Sequence, residues 1–385
     1  MFLGKVRARN PKLLDKALEL HASGQIRPDT WVIDLDSLLS NASSILNEAR
    51  KYGVELYYMT KQFGRNPLIA RKLQDLGYAG AVAVDHKEAS VLLKNGLRLG
   101  HVGHLAQIPA ADVPKIVAAR PEIVTVYSYE KAEHLSAETL KAGRVQPIML
   151  RMWDEKNPVF LGQEAGYSLT QLQALLWRLD ALKGVRVAGV TAFPCFVFDP
   201  DVGDIVPTKN AELLGRAKEW LKRNWADSSS LQINMPSATC LRTLPLIAER
   251  GGTHAEPGHG LTGTTPLHAA TDQPEVPAMV YVTEVSHHWK RSSMVYGGGF
   301  YRRGHLRNAF VAGKATMVYP LDPLTIDYHF EIDGQFPVGT PVLMAFRAQA
   351  FVTRSDIAVV RGIHAKKGKS KLLGIFDPLG GKIAS

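Results

Sequence analysis

Several residues of this 385-residue sequence stand where a strand should end and carry side chains able to do chemistry. Lys61 closes the run ELYYMTK, residues 55–61. A lysine there can snorkel to the surface, or, with its pKa lowered by burial, can form a Schiff base with a carbonyl. His104, in LGHVGHL (99–105), suits either a satisfied rim residue or an acid-base role. Arg151, in QPIMLRM (146–152), suits an anionic partner, whether a side-chain carboxylate or a ligand. Two turns complete the set: Asn234-Met235-Pro236-Ser237-Ala238-Thr239, and Glu256-Pro257-Gly258-His259-Gly260. Both can be ordinary helix caps, and both can offer backbone N–H groups to a phosphate.

The elements that must hold these residues follow a regular alternation. Strand-like runs lie at 55–61, 79–85, 99–105, 122–128, 146–152, 185–193, 230–236 and 252–258, with amphipathic helix-like runs between them. Eight such units predict a (β/α)8 TIM barrel, whose active site sits at the C-terminal ends of the strands. A lysine after the first strand and a phosphate cradle after the last two would share one rim and suit pyridoxal phosphate. From Val276 onward the pattern changes to strands joined by turns, which predicts a C-terminal all-β domain. The expected organisation is an N-terminal segment over 1–30, the barrel over 31–272 and the β domain over 273–385. TWVIDLD (30–36) is strand-like, and either joins the second domain or seats the first helix.

Composition bounds the function classes. Hydrophobic residues make up 45% and charged residues 21%, and no run has the apolar length of a membrane span. The N-terminal MFLGKVRARNPKLL lacks a secretory signal's apolar segment. Cys195 and Cys240 are too few for a disulfide framework, and a small buried thiol is the expected role of each. A cytoplasmic protein is expected. The formal charge of +10 raises the question of nucleic acid, but the densest basic stretches, Arg302-Arg303-Gly304-His305 with Arg307 and Lys366 to Lys371, lack interleaved aromatics. A field attracting small anions is expected instead, with no nucleic acid or membrane as partner. His287-His288 has no carboxylate or cysteine at ligand spacing, so no metal site is expected.

In their order along the chain these features resemble the fold-type III pyridoxal-phosphate enzymes, the group of alanine racemase, ornithine and diaminopimelate decarboxylases and D-serine dehydratases. The closest likeness is to an alanine-racemase-like branch. YYMTKQFGRNP is similar to the family segment in which a lysine closes the first barrel strand, and IARKLQDLGYAGAVAVDHKEASVLLKNG keeps the family's spacing. The resemblance implies pyridoxal 5'-phosphate as cofactor, an amino acid as substrate, and a homodimer in which each β domain completes the other subunit's site. It makes Lys61 the Schiff-base lysine, assigns the phosphate to Ser237 and the Gly258 turn, and matches Tyr296 in MVYGGGFY to the racemases' second catalytic residue. On its residues alone, Tyr296 beside three glycines reads as a turn at a sheet edge. His104, Arg151, Asn234, Glu256 and His259 complete the expected cofactor-binding set.

The departures from the family pattern carry information. Glu256 in EPG stands where racemases place an arginine against the pyridine nitrogen, and matches the decarboxylases. A carboxylate there keeps the nitrogen protonated and deepens the electron sink. Yet no cysteine follows Cys240, as the decarboxylases require, and FRAQAFVTRSD offers neither the histidine nor the cysteine of a dehydratase zinc site. Arg151 replaces a modified lysine of alanine racemase and Ala192 a histidine, which tells against strict alanine specificity. A racemase or epimerase using Lys61 and Tyr296 as two bases is expected. The alternatives are a decarboxylase or D-amino-acid lyase and, outside enzymes, a carrier or sensor of the cofactor.

Overall fold

The computed structural model describes residues 2–225, 230–301, 303–322, 324–366 and 369–384. Arg302 and Lys367 of the two basic stretches therefore lie outside the described residues. Numbered along the chain, β1 is Thr30–Asp34, and the barrel strands begin with β2 (Glu55–Met59), β3 (Gly80–Ala83), β4 (Leu99–Val102), β5 (Ile123–Val126), β6 (Gln146–Arg151) and β7 (Val185–Thr191). A hairpin, β8 (Phe196–Asp199) and β9 (Asp204–Pro207), precedes β10 (Gln232–Asn234) and β11 (His254–Ala255). These eight expected strands close a parallel barrel in the order β10-β11-β2-β3-β4-β5-β6-β7. Contacts divide the chain into two units, one of residues 45–60 and 70–258, the other of residues 1–44, 61–69 and 259–385. This division differs from the boundaries expected from sequence.

In the first unit, β3, β4 and β5 are buried at every position, as strands lined by neighbours on both faces must be. Tyr57, Met59, Val82, Ile123, Met149 and Ala188 form one apolar cluster. Gly100 makes room for it, because a Cβ there would collide with the Tyr57 ring. Some of the connecting helices are capped by a side chain at their first turn. The Asp85 side chain accepts from Glu88 N at 2.7 Å at the start of α5 (His86–Lys94 in the series after α1 Phe2–Arg9, α2 Pro11–Ala22, α3 Leu35–Lys51 and α4 Pro67–Leu76).

The second unit is built on a sheet in the order β15-β14-β17-β12-β1-β18-β19-β20, where β12 is Met279–Trp289, β13 Ser292–Tyr296, β14 Asn308–Val311, β15 Lys314–Met317, β16 His329–Asp333, β17 Pro341–Met344, β18 Asp356–Arg361, β19 Lys371–Phe376 and β20 Lys382–Ala384. β13 pairs with β12 and β16. β1 thus joins this sheet, antiparallel to β12 and parallel to β18, and resolves the choice that the sequence left open. α1 and α2 lay Phe2, Leu3, Leu13 and Leu20 into one core with Val32, Val280 and Val360 of the sheet. No described helix is long and apolar enough to cross a membrane.

Candidate active site

The barrel unit holds six of the expected residues, His104, Arg151, Asn234, Ser237, Glu256 and Gly258, at or just beyond the C-terminal ends of its strands. Glu256 follows β11 and is buried to 5% exposure. Its Oε1 accepts from His101 Nδ1 at 2.6 Å and from Asn234 Nδ2 at 2.8 Å, and its Oε2 lies 3.9 Å from His104 Nε2. Burial alone would raise its pKa. The charges of His104 and His101, with the bonds from His101 and Asn234, outweigh that and lower it to about 2. A buried acid here is therefore an anion. Its Oε2 has no hydrogen-bond partner among the described residues, and neither has Asn234 Oδ1.

Arg151 ends β6 fully buried, its guanidinium 5.5 Å from the Tyr127 ring centroid and 5.9 Å from that of Phe193. One amine donates to Phe193 O at 3.4 Å, while Nε and Nη1 bond to no described residue. Burial holds its pKa below the usual arginine range. His104 packs edge-on against Phe193, with ring centroids 5.6 Å apart. Cys195 and Cys240 are buried and form no disulfide among the described residues, and burial pushes the Cys195 thiol up.

Ser237 is placed differently from a simple hydroxyl ligand. Its Oγ donates to Phe196 O at 2.7 Å and accepts from Phe196 N at 3.0 Å, so the hydroxyl fastens this turn to β8. The turn itself is unusual, since Ser237 and Ala238 both take positive φ, 90° and 50°. The N–H groups of Ser237, Ala238 and Thr239 bond to no described residue, and the buried Thr239 Oγ1 also lacks a partner. A left-handed turn with exposed donors is a ready anion cradle. Gly258, two residues beyond Glu256, is buried.

Sequence reasoning passed over His101. It lies inside β4 and is fully buried, and its Nε2 is 2.5 Å from Thr125 Oγ1 of β5. A histidine inside a strand with no exposed face must find polar partners, and that was the available signal. Thr60, between β2 and Lys61, bonds to the buried Glu88 carboxylate, which also accepts from Val84 N at 2.6 Å, so the chain just before Lys61 is pinned.

The remaining expected residues belong to the sheet unit. Lys61 begins a single 3-10 turn, Lys61–Phe63, two residues past the last residue of β2. His259 opens α11 (His259–Thr262), and Lys61 is among the cations that act on its ring. Tyr296 ends β13, 39% exposed, its ring centroid 6.0 Å from that of His329. It lines a pocket of about 350 Å³ with Pro28, Asp29, Tyr328, His329 and Arg354. The His287 ring packs edge-on against His329 at 4.9 Å.

Comparison with known proteins fits this geometry. The alanine racemase N-terminal domain model matches residues 33–266, and the YhfX-like C-terminal domain model matches residues 280–370. The chain belongs to the alanine racemase N-terminal domain family. The uncharacterized protein YhfX of Escherichia coli K12 is 43% identical over 391 residues, covering 100% of both chains. Among solved structures, D-threonine aldolase from Filomicrobium marinum superposes with a TM-score of 0.66 at 16% identity, over 92% of this chain and 95% of that one. Alanine racemase from Bacillus anthracis gives 0.65 at 16% identity, over 92% and 98%. The expected fold-type III architecture, a barrel followed by an all-β domain, is thereby shown.

Proposed function

We propose that this chain is a pyridoxal-phosphate enzyme that racemises or epimerises an amino acid at its α-carbon. The observation that carries the reading is the ionised Glu256 carboxylate at the end of the last barrel strand, with Oε2 lacking a hydrogen bond to any described residue. A buried anion with an open acceptor position fits a protonated ring nitrogen. The left-handed Ser237-Ala238 turn, with its open N–H groups, fits the phosphate. The residues that would hold the cofactor are thus Lys61, through its amine, Glu256, the backbone of the Ser237 turn and the Gly258-His259 turn, with Asn234, His104 and Arg151 around them.

When bound, pyridoxal phosphate supplies an aldehyde that takes up an amine and a ring that draws electrons from the adjoining carbon. Glu256, held by His101 and Asn234, keeps negative charge at one fixed point of the site. Lys61 Nζ is the base that takes or returns the α-proton on one face, and Tyr296 Oη serves the other from a second copy of the chain. Two bases on opposite faces interconvert enantiomers. A homodimer with shared sites, working in the cytoplasm, follows from this reading. Incubation with single enantiomers in heavy water should place deuterium at the α-carbon and yield the opposite enantiomer; a panel of amino acids and common derivatives showing neither would count against it.

Glu256 also favours a second reading. A carboxylate in the racemases' arginine position should hold a carbanion more firmly, as decarboxylation or elimination requires. Release of carbon dioxide, ammonia or an aldehyde, without inversion, would select it.

A further inference from the structure

The pocket lined by Tyr296 gathers side chains able to carry positive charge. Arg354, two residues before β18, lies over the Tyr328 ring, 4.6 Å from its centroid, and its Nη2 donates to Asp327 O at 3.1 Å. The guanidinium is thus held in place by a ring and a carbonyl. His329 stands directly across from Tyr296 in the β13–β16 ladder, and His287 packs edge-on against it. Burial, then the charges of His287 and Arg354, hold the His329 pKa below the usual histidine range.

The acid in the lining is Asp29, and it opposes Arg354 only loosely. Its Oδ1 accepts from Tyr281 Oη at 2.9 Å and from Ser355 Oγ. Its Oδ2 lies 4.0 Å from Arg354 Nε, beyond hydrogen-bond reach. The three glycines after Tyr296 make this arrangement possible. Gly298 takes φ 130°, and a Cβ there would collide with Asp29 Oδ2 and press on Arg354 Nε, while one on Gly299 would strike the Tyr281 ring. The chain can therefore pass between Tyr296 and Arg354 without displacing the guanidinium.

Resting on the racemase reading above, we infer that this pocket receives the substrate's side chain, that Arg354 is its ligand, and that the substrate is an amino acid whose side chain ends in a carboxylate. A base that works on the α-proton must come within hydrogen-bond reach of it, so a cavity lined by Tyr296 lies about one side-chain length from the α-carbon. Its volume of about 350 Å³ admits such a side chain. A pre-set guanidinium favours a carboxylate oxygen through a charge-assisted hydrogen bond, whereas a basic side chain would meet like charge there.

The test titrates the cofactor-loaded full chain with both enantiomers of aspartate, glutamate, alanine and lysine, in wild type, Arg354→Gln and Arg354→Lys. Cofactor absorbance reports binding, and deuterium at the α-carbon reports reaction. Wild type should respond to aspartate or glutamate at the lowest concentration. Arg354→Gln should raise the KM of that acidic substrate by about 10- to 100-fold with kcat little changed and alanine unaffected, and Arg354→Lys should fall between. The Arg354 side chain is 46% exposed, so both variants should fold. Should Arg354→Gln fail to do so by circular dichroism, the lysine variant decides, since it keeps the charge but not the planar stack. A wild-type preference for alanine or lysine, a KM raised alike for every substrate, or binding of none of the four overturns the inference. Acid-selective binding without exchange upholds the pocket and removes the racemase reading; exchange on alanine or lysine alone does the reverse.

Discussion

Glu256 concentrates the site's electrostatics in one carboxylate. Its pKa falls from an ordinary carboxylate value to about 2, because two histidines and an asparagine more than offset burial. A lowered folded-state pKa means the unfolded chain binds the proton more readily. The stabilisation is therefore present above about pH 4.5 and is lost as the pH falls toward 2, on the order of 3 kcal/mol in all. Melting of the cofactor-free chain between those pH values should show a shallower acid limb for Glu256→Gln than for wild type; equal limbs would mean the carboxylate is not held as described. At this scale the sequence was legible for Glu256, Asn234 and Arg151, whose polar types stand at strand ends. It was silent on His101, whose partners, Glu256 and Thr125, are distant along the chain and adjacent only after folding.

The elements make their own demands. Gly100 lies where β4 crosses the Tyr57 ring, so Gly100→Ala forces the barrel's apolar cluster apart and should cost about 1–3 kcal/mol in urea unfolding. A wild-type midpoint would show that the ring has room to move. In the sheet unit, Asp29 precedes β1 with φ 66° and its carboxyl is pushed up to about 6, chiefly by burial, against the bonds from Ser355 and Tyr281. A raised acid pKa makes the folded state the better proton binder, so this group costs stability as the pH rises from about 4 to 6. Asn accepts the same bonds, tolerates positive φ and carries no charge; Asp29→Asn should add about 1–3 kcal/mol at neutral pH and nothing near pH 4. A gain of the same size at both pH values would contradict that cause. The barrel strands could be read in advance because each is short, apolar and bounded by a helix. β1 could not be placed, because a strand buried at all five positions looks alike in a barrel and in a covered sheet.

For the whole molecule, the proposal places Lys61 and Tyr296 of one working site on different subunits. Lys61→Ala and Tyr296→Phe should each be inactive alone. Mixed and exchanged, they should recover about a quarter of wild-type activity, since half the dimers are hybrids and each hybrid has one intact site. No recovery, despite subunit exchange, would place both residues in one chain's site. The architecture at this scale, a barrel and then a β domain, was legible from the change of periodicity near Val276, whereas the pairing of β1 with β12 and β18 depends on contacts about 250 to 330 residues apart in sequence, which no local pattern reports. The central claim, that this barrel holds pyridoxal phosphate on the lysine after its first strand, is tested most directly by borohydride reduction of the purified protein followed by peptide mass mapping. The account predicts a phosphopyridoxyl adduct on Lys61 and its disappearance in Lys61→Ala; no adduct, or one on another lysine, would contradict it.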